Sequence, residues 1–494
     1  MLTDSQNKKD RRIYIWLFII AFAVAFSSTY NPLNFRRMHV DSSIYITITQ
    51  GIIRGQLPYM DFVDNKGPLA YLLNVPGFFL GRFTGIWITE IILLFVTVLF
   101  AYKTALFFGN RDKALLGTIF GFVVLLAFFT VNGGTEEHSL PFLAVSLYIF
   151  ARYYFYQEQN LNFGELIVLG ACFACAVLIR LNMFPLWAGF CIVIFIEEIL
   201  NRRFIRLCKY ISGFCLGVII IFIPIFLYLK LNGIMDAFFN QAVFGGAAKG
   251  FSGGGLKETV KNFYAVLNRD LSIIPLLIGV FWMITRFRRA NVCFYIGYTL
   301  SYFLMVLFLS FSGGDSHYNM VLFPFFIPAL VFLVCIMDSA FSEIKAKNIV
   351  LVLFLCLAFS EGLVKYLFDL SKIFFDKSGY NLIRAGKMID ENTKPGDKII
   401  SLGFNGYIYP FTQRDIASKY CYQGSGLDHI PGAREEFISD ITSNKPAVIA
   451  LFNGKEGVSH IMNGWHAPIL GMIESGEYRL LSDENEFKLF IRND

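Results

Sequence analysis

Charge is scarce in this chain. Asp, Glu, Lys and Arg supply 16% of its 494 residues, where globular domains carry roughly 25%. A soluble protein of this length would lack the polar cover its apolar residues need. That excludes a soluble enzyme and a disordered chain. Cysteine is present but not arranged as a framework. Of nine cysteines, eight lie in or at the ends of apolar runs and only Cys421 sits in a polar stretch, so a disulfide-stapled secreted module is excluded too. Cys172 and Cys175 have CxxC spacing, but inside LGACFACAVL they read as packing residues. No basic patch stands on a soluble face, so nucleic acid is not an expected partner, and no nucleotide-binding motif appears. What the chain has instead is apolar bulk: 55% hydrophobic residues with 55 Phe and 24 Tyr, and a mean hydropathy of +0.55. This is the composition of a polytopic membrane protein.

A helical crossing needs roughly 20 apolar residues. Eleven candidate spans stand at about 13–30, 86–108, 114–131, 139–156, 164–181, 184–200, 210–230, 271–285, 292–311, 321–338 and 349–367. The first follows Lys8, Lys9, Arg11 and Arg12 without a small-x-small cleavage site, and reads as a retained anchor. Alternate gaps are short and mostly basic: Arg111 with Lys113; Arg202, Arg203, Arg206 and Lys209; Arg286, Arg288 and Arg289; Lys345 and Lys347; the gap near 157–163 is neutral, with Arg152 just before it. The positive-inside bias then puts the N-terminus in the cytoplasm and the C-terminus outside. The opposite gaps, 31–85, 132–138, 231–270 and 312–320, are long or chemically dense, and function is expected on that outer face. Residues 1–368 form the expected membrane domain. The tail 369–494 is polar, with helices expected at 380–392 and near 433–443 and strands at 398–403, 447–452, 478–482 and 487–492. It reads as a small extracytoplasmic α/β domain. The glycine-rich GGAAKGFSGGG suits either a mobile lid or an inert linker.

The segment HVDSSIYITITQGIIRGQLPYMDFVDNKGPLAY (39–71) is the densest in chemistry. Tyr45, Ile48 and Ile52 recur at helical spacing after Asp41, which predicts an amphipathic helix in the interface plane, ended by Gly55. A second short helix is expected after Pro68. Asp41 at the start of the first helix is either an N-cap or a carboxylate that takes a proton from an acceptor; the two roles are compatible. Asp61, Asp64 and Lys66 follow closely. A lysine held beside Gly67-Pro68 at a bilayer surface suits a lipid-linked phosphate, and a solvated loop is the plain alternative.

The pattern D-x-x-x-Y, then G-x-x-x-G-x-x-P-Y-x-D, then D-N-K-G-P-L, running from Asp41 and Tyr45 through Tyr59 and Asp61 to Asp64 and Lys66, resembles the first outer loop of the GT-C glycosyltransferases. It is similar to the bacterial branch that includes protein O-mannosyltransferases and the aminoarabinose transferase of lipid A. The resemblance implies a reaction-centre role for Asp41 and contact of Lys66 with a donor phosphate. Two positions depart from the pattern: Ser42 where many members have Glu, and Asn65 where an acid helps bind metal in the aminoarabinose branch.

Further positions extend the resemblance. In NGGTEEHSLPF (132–142), Glu136 matches the family acid best, with Glu137 as the alternative; with His138 these could also hold a divalent cation, or simply start a helix. Arg180 either snorkels at a span end or lies near the donor phosphate. His317 and Tyr318 match an H-Y element before a proline-broken span. The resulting expectation is a hexosyl- or pentosyltransferase. It takes a polyprenyl-phosphate sugar, with Lys66, Arg180 and His317 on the phosphate and Asp41 and Glu136 as the catalytic acids. Tyr45, Tyr59, Asp61, Asp64, Glu137, His138 and Tyr318 are candidate substrate contacts. The acceptor is a glycan, lipid or protein of the envelope, and a single displacement inverts the anomeric carbon. The alternative is a transporter or flippase for a lipid-linked glycan, which would place ionisable groups near the bilayer midplane.

Overall fold

The computed structural model describes residues 4–129, 134–156, 160–245, 255–285, 291–313, 315–343, 347–376, 380–402, 407–423, 427, 430–452, 465–484 and 487–493. Most of the glycine-rich stretch and the basic positions Arg286, Arg288, Arg289 and Lys345 lie outside the described residues.

The first part of the chain is helical. Its helices are α1 (Asp4–Phe26), α2 (Val40–Ile53), α3 (Leu69–Leu72), α4 (Val75–Phe79), α5 (Phe83–Ala105), α6 (Arg111–Phe128), α7 (Thr135–Phe155), α8 (Phe163–Ile179), α9 (Pro185–Leu200), α10 (Phe204–Leu231) and α11 (Met235–Phe238). A π-helical turn follows at Phe239–Gly245. Then come α12 (Gly255–Asn268), α13 (Ile273–Thr285), α14 (Val292–Phe311), α15 (Phe323–Ala340), α16 (Lys347–Ala358) and α17 (Ser360–Phe375). Small residues let the long helices approach closely. α8 and α10 meet at Gly170, Gly213 and Gly217, where an added Cβ would strike the partner helix.

A helix stands at every expected span, but the crossings need qualification. Among the described residues, four helices are long and apolar enough to cross a membrane, or up to six if each of two bent pairs is one span. The expected span 349–367 is not one helix. It breaks at Phe359, and α16 and α17 meet at 74°. The chain is a multi-pass membrane protein in which several apolar helices are shorter than a full crossing.

The rest of the chain carries α18 (Tyr380–Asn392), β1 (Lys398–Leu402), β2 (Asp415–Ile416), α19 (Ala433–Asn444), β3 (Val448–Phe452), α20 (Ala467–Glu474), β4 (Tyr478–Asp483) and β5 (Phe487–Arg492). The sheet order is β2-β1-β3-β5-β4. β1 pairs in parallel with both β2 and β3, and β5 runs antiparallel to β3 and β4. Sequence reading missed β2, which is two residues long, and α20.

The sheet does not stand apart. Its core residues Ile399, Tyr409, Tyr420 and Phe437 belong to one apolar cluster with Ile44, Tyr45, Ile48 and Phe62 of the first long loop. Polar ties reinforce the joint: Arg54 to Asp415 at 2.9 Å, Gln50 Nε2 to the Pro410 carbonyl at 3.2 Å, and the Val63 amide to the Lys419 carbonyl at 2.9 Å. This corrects the expectation for α2. Eleven of its 14 residues are buried, so protein covers it on nearly all sides and it is not the one-sided amphipathic helix its spacing predicts.

Candidate functional site

The site is assembled by one backbone contact. The Gly67 amide donates to the Ile179 carbonyl at 3.1 Å, and a Cβ on Gly67 would overlap the Leu178 carbonyl. Only glycine permits this approach. It fastens Lys66 to the end of α8, one residue before Arg180, so two cations distant in sequence share one place. The loop is held from within as well. The Tyr59 hydroxyl donates to the Lys66 carbonyl at 2.7 Å, and Tyr59 itself takes a left-handed φ of 67°. Gln241 of the π-helical turn clamps the same loop: its Oε1 accepts from the Asp64 amide at 3.2 Å, and its Nε2 donates to the Tyr59 carbonyl at 2.7 Å. Sequence reading missed Gln241, because nothing in the order of residues brings position 241 beside position 64.

Lys66 Nζ donates to Asn65 Oδ1 at 2.9 Å. Burial and the like charge of Arg180 push its ammonium below the usual lysine range, against the pull of Asp64 and Asp41. Asp64 is buried; its Oδ2 accepts from the Tyr71 hydroxyl and its Oδ1 from the Asn65 amide, both at 2.7 Å. Burial raises its carboxyl above the usual range, opposed by Lys66 and these donors.

Arg180 pairs with Glu136, which is 3% exposed. The guanidinium also lies 4.1 Å from the centre of the Tyr318 ring, a cation–π contact. The Tyr318 ring in turn sits 4.3 Å from that of His317. Thr135 Oγ1 donates to the other Glu136 oxygen at 3.1 Å. The N-cap of α7 is Gly134, which has no side chain to cap with, and the Thr135 hydroxyl serves Glu136.

Asp41 stands in the first turn of α2, half-buried. It is not the N-cap: that residue is His39, whose Nδ1 accepts from the Asp41 amide at 3.3 Å. Burial pushes His39 below the usual histidine value, with Asp41 opposing. The Asp41 charge reaches Lys66, Asp64, Tyr45 and His317. The two cations and the carboxylates of Asp41 and Glu136 thus lie in one neighbourhood.

Other expected positions go elsewhere. Asp61 accepts from the Leu57 amide at 2.7 Å and closes a turn. Glu137 lies against Glu90 of α5, turned to a different partner from Glu136. His138 is buried, and its Nδ1 meets no partner among the described residues. Tyr45 and Tyr59 are buried in the loop core. From the tail, Tyr422 comes close: burial and the charges of Asp64 and Asp41 push its hydroxyl well above the usual tyrosine value. It was not expected, since the tail carries no motif.

A metal does not fit these residues. Among the described residues no group of three or more His, Cys, Asp or Glu could hold one. Asn65 replaces the expected acid and its Oδ1 is taken by Lys66. Glu136 and Glu137 face separate partners.

No family model and no curated protein sequence matches the chain. Solved structures do match. ArnT from Cupriavidus metallidurans bound to undecaprenyl phosphate superposes with a TM-score of 0.59 at 11% identity, over 97% of both chains. The archaeal oligosaccharyltransferase AglB from Archaeoglobus fulgidus, in complex with an inhibitory peptide and a dolichol-phosphate, gives a TM-score of 0.53 at 11% identity, over 97% of this chain and 74% of that one. The likeness is one of fold, and it runs over nearly the whole chain rather than the first loop alone.

Proposed function

We propose that this protein is a membrane glycosyltransferase that moves a sugar from a polyprenyl-phosphate donor to an envelope acceptor at the outer face. The fold it shares with ArnT and AglB supports the lipid-linked donor, since both were solved with a polyprenyl or dolichol phosphate. The observation that carries the reading is the Gly67–Ile179 contact, which seats Lys66 next to Arg180.

In this reading the donor phosphate lies against Lys66 and Arg180, with His317 donating from its ring. As the sugar–phosphate bond breaks, negative charge builds on the phosphate, and cations already in place stabilise it without rearrangement. Glu136 and Tyr318 hold the guanidinium at the required angle, so Glu136 is a positioning residue. Asp41 accepts the proton of the acceptor as it attacks. Asp64 and Tyr71 set the bend that presents Lys66. Tyr422 of the tail lies near Asp64 and Asp41. A single displacement inverts the anomeric carbon.

The test is binding of polyprenyl phosphate to protein in lipid nanodiscs, paired with mass spectrometry of envelope glycans from cells with and without the gene. Lys66→Ala should weaken donor binding while the protein still folds. Unchanged affinity, or an unaltered envelope, would overturn the assignment.

A further inference from the structure

A cavity of about 300 Å³ lies at the junction of two broken helix pairs. α12 and α13 meet at 86°, and α16 and α17 at 74°. The cavity opens where both bends come against the end of α6. Its walls mix polar and apolar groups: Glu361, Ser360 and Asn268 on one hand, Val124, Ala127 and Phe359 on the other. Glycine makes the junction tight, because a Cβ on Gly362 would strike the Val123 carbonyl. Lys365 ties the same helix to the end of α6, donating to the Phe129 carbonyl at 2.7 Å.

The two helices flanking the cavity are amphipathic. α12 exposes Leu256, Val260 and Tyr264, one turn apart, and α17 exposes Val364, Leu367 and Phe368. A helix of this kind rests at the level of the lipid head groups with its apolar side in the acyl region. The polar cavity between them therefore sits at the bilayer surface, flanked by faces that suit a lipid tail. It is also linked to the site. Asn319 Nδ2 donates to Ser272 Oγ and to the Val266 carbonyl, each at 3.0 Å, joining the α12–α13 bend to the turn that carries His317 and Tyr318.

The geometry points to this cavity as a binding site for the hydroxylated, uncharged head of an amphiphile that enters sideways from the bilayer. Glu361 disfavours an anionic head, so the donor phosphate belongs at Lys66 and Arg180 and not here. A carboxylate, an amide and a hydroxyl against apolar walls match a sugar, which offers hydroxyls at its edge and C–H groups on its face.

The experiment uses the full-length protein in lipid nanodiscs and an alkyl glucoside bearing a diazirine on its sugar. After irradiation, adducts should map to α6 near Ala127 and to residues 358–362. Ala127→Trp should abolish them by filling the cavity. Glu361→Ala, which removes no packing, should lower their yield about tenfold, the effect of losing one hydrogen bond to a charged group. Adducts elsewhere, or adducts that persist in both variants, overturn the proposal. Polyprenyl phosphate binding separates the two ideas. It should survive Ala127→Trp and fall in Lys66→Ala, so loss of the glucoside site leaves the donor assignment standing, and the reverse.

Discussion

Two buried glutamates, each paired with a half-buried arginine, sit at opposite ends of the bundle, and the two pairs differ. At the end away from the sheet, Glu198 is fully buried and pairs with Arg206 eight residues on, Nε to Oε2 at 2.6 Å. The Tyr153 hydroxyl donates to the same carboxylate at 3.2 Å. This is a local staple across the α9–α10 turn. At the sheet-bearing end, Glu136 and Arg180 join different helices. They have Lys66, Asp41 and His317 as further ionisable neighbours. A buried ion pair by itself marks neither stability nor function. What separates the two is the surplus of charge around the second, gathered by a backbone contact that only glycine allows.

That contrast can be broken by mutation. The largest effect is expected at Asp41. Asp41→Asn should cut turnover by about 10²–10⁴-fold, the usual worth of a general base, with normal expression. Full turnover would remove Asp41 from the chemistry. Next come the two glutamates. Glu198→Ala removes the carboxylate that the half-buried Arg206 and Tyr153 share and should cost about 1–3 kcal/mol of stability, while each folded molecule keeps its activity. Glu136→Ala should instead lower turnover, because Arg180 loses its orientation. If both variants lose stability alone, the distinction between staple and site fails.

The next test reads pH. Lys66 is held below the usual lysine range, and a phosphate needs its charged form. Donor affinity should therefore fall as pH rises, beginning below the ordinary lysine value of about 10.4. Lys66→Arg should erase that alkaline limb, since arginine stays protonated; a limb that persists would place the titrating group elsewhere. The smallest effect concerns His39. Its folded value lies below the unfolded one, so the folded state takes up its proton less readily. Stability is full above about 6.5, the unfolded value, and declines as pH drops below it. His39→Asn keeps a cap acceptor and should flatten the acid side of a melting-temperature profile.

The sequence made one half of the site readable and hid the other. Asp41, Lys66 and Gly67-Pro68 stand close together in one loop whose length and chemistry draw attention. Arg180 and Glu136 were legible only through their match to the family pattern, since a span-end arginine also snorkels and an acid after Thr135 also starts a helix. Gln241 and Tyr422 were not legible. Each reaches the site only through packing of a distant segment, and neither residue type signals a role by itself. The burial of α2 was hidden for a related reason. A helical pattern of Tyr and Ile reads the same whether the apolar face meets lipid or a sheet, and only the shared core with Tyr409 and Tyr420 decides it. The break at Phe359 did carry a mark, Ser360-Glu361-Gly362 within the apolar run, but in sequence that charge reads as lying toward the end of one span.

The most direct test is a double-mutant cycle on polyprenyl phosphate affinity in nanodiscs, with Lys66→Ala, Arg180→Ala and the pair. If both cations grip one phosphate, their effects should be coupled by at least about 0.5 kcal/mol. Strictly additive losses, or no loss in either single variant, would contradict a common site.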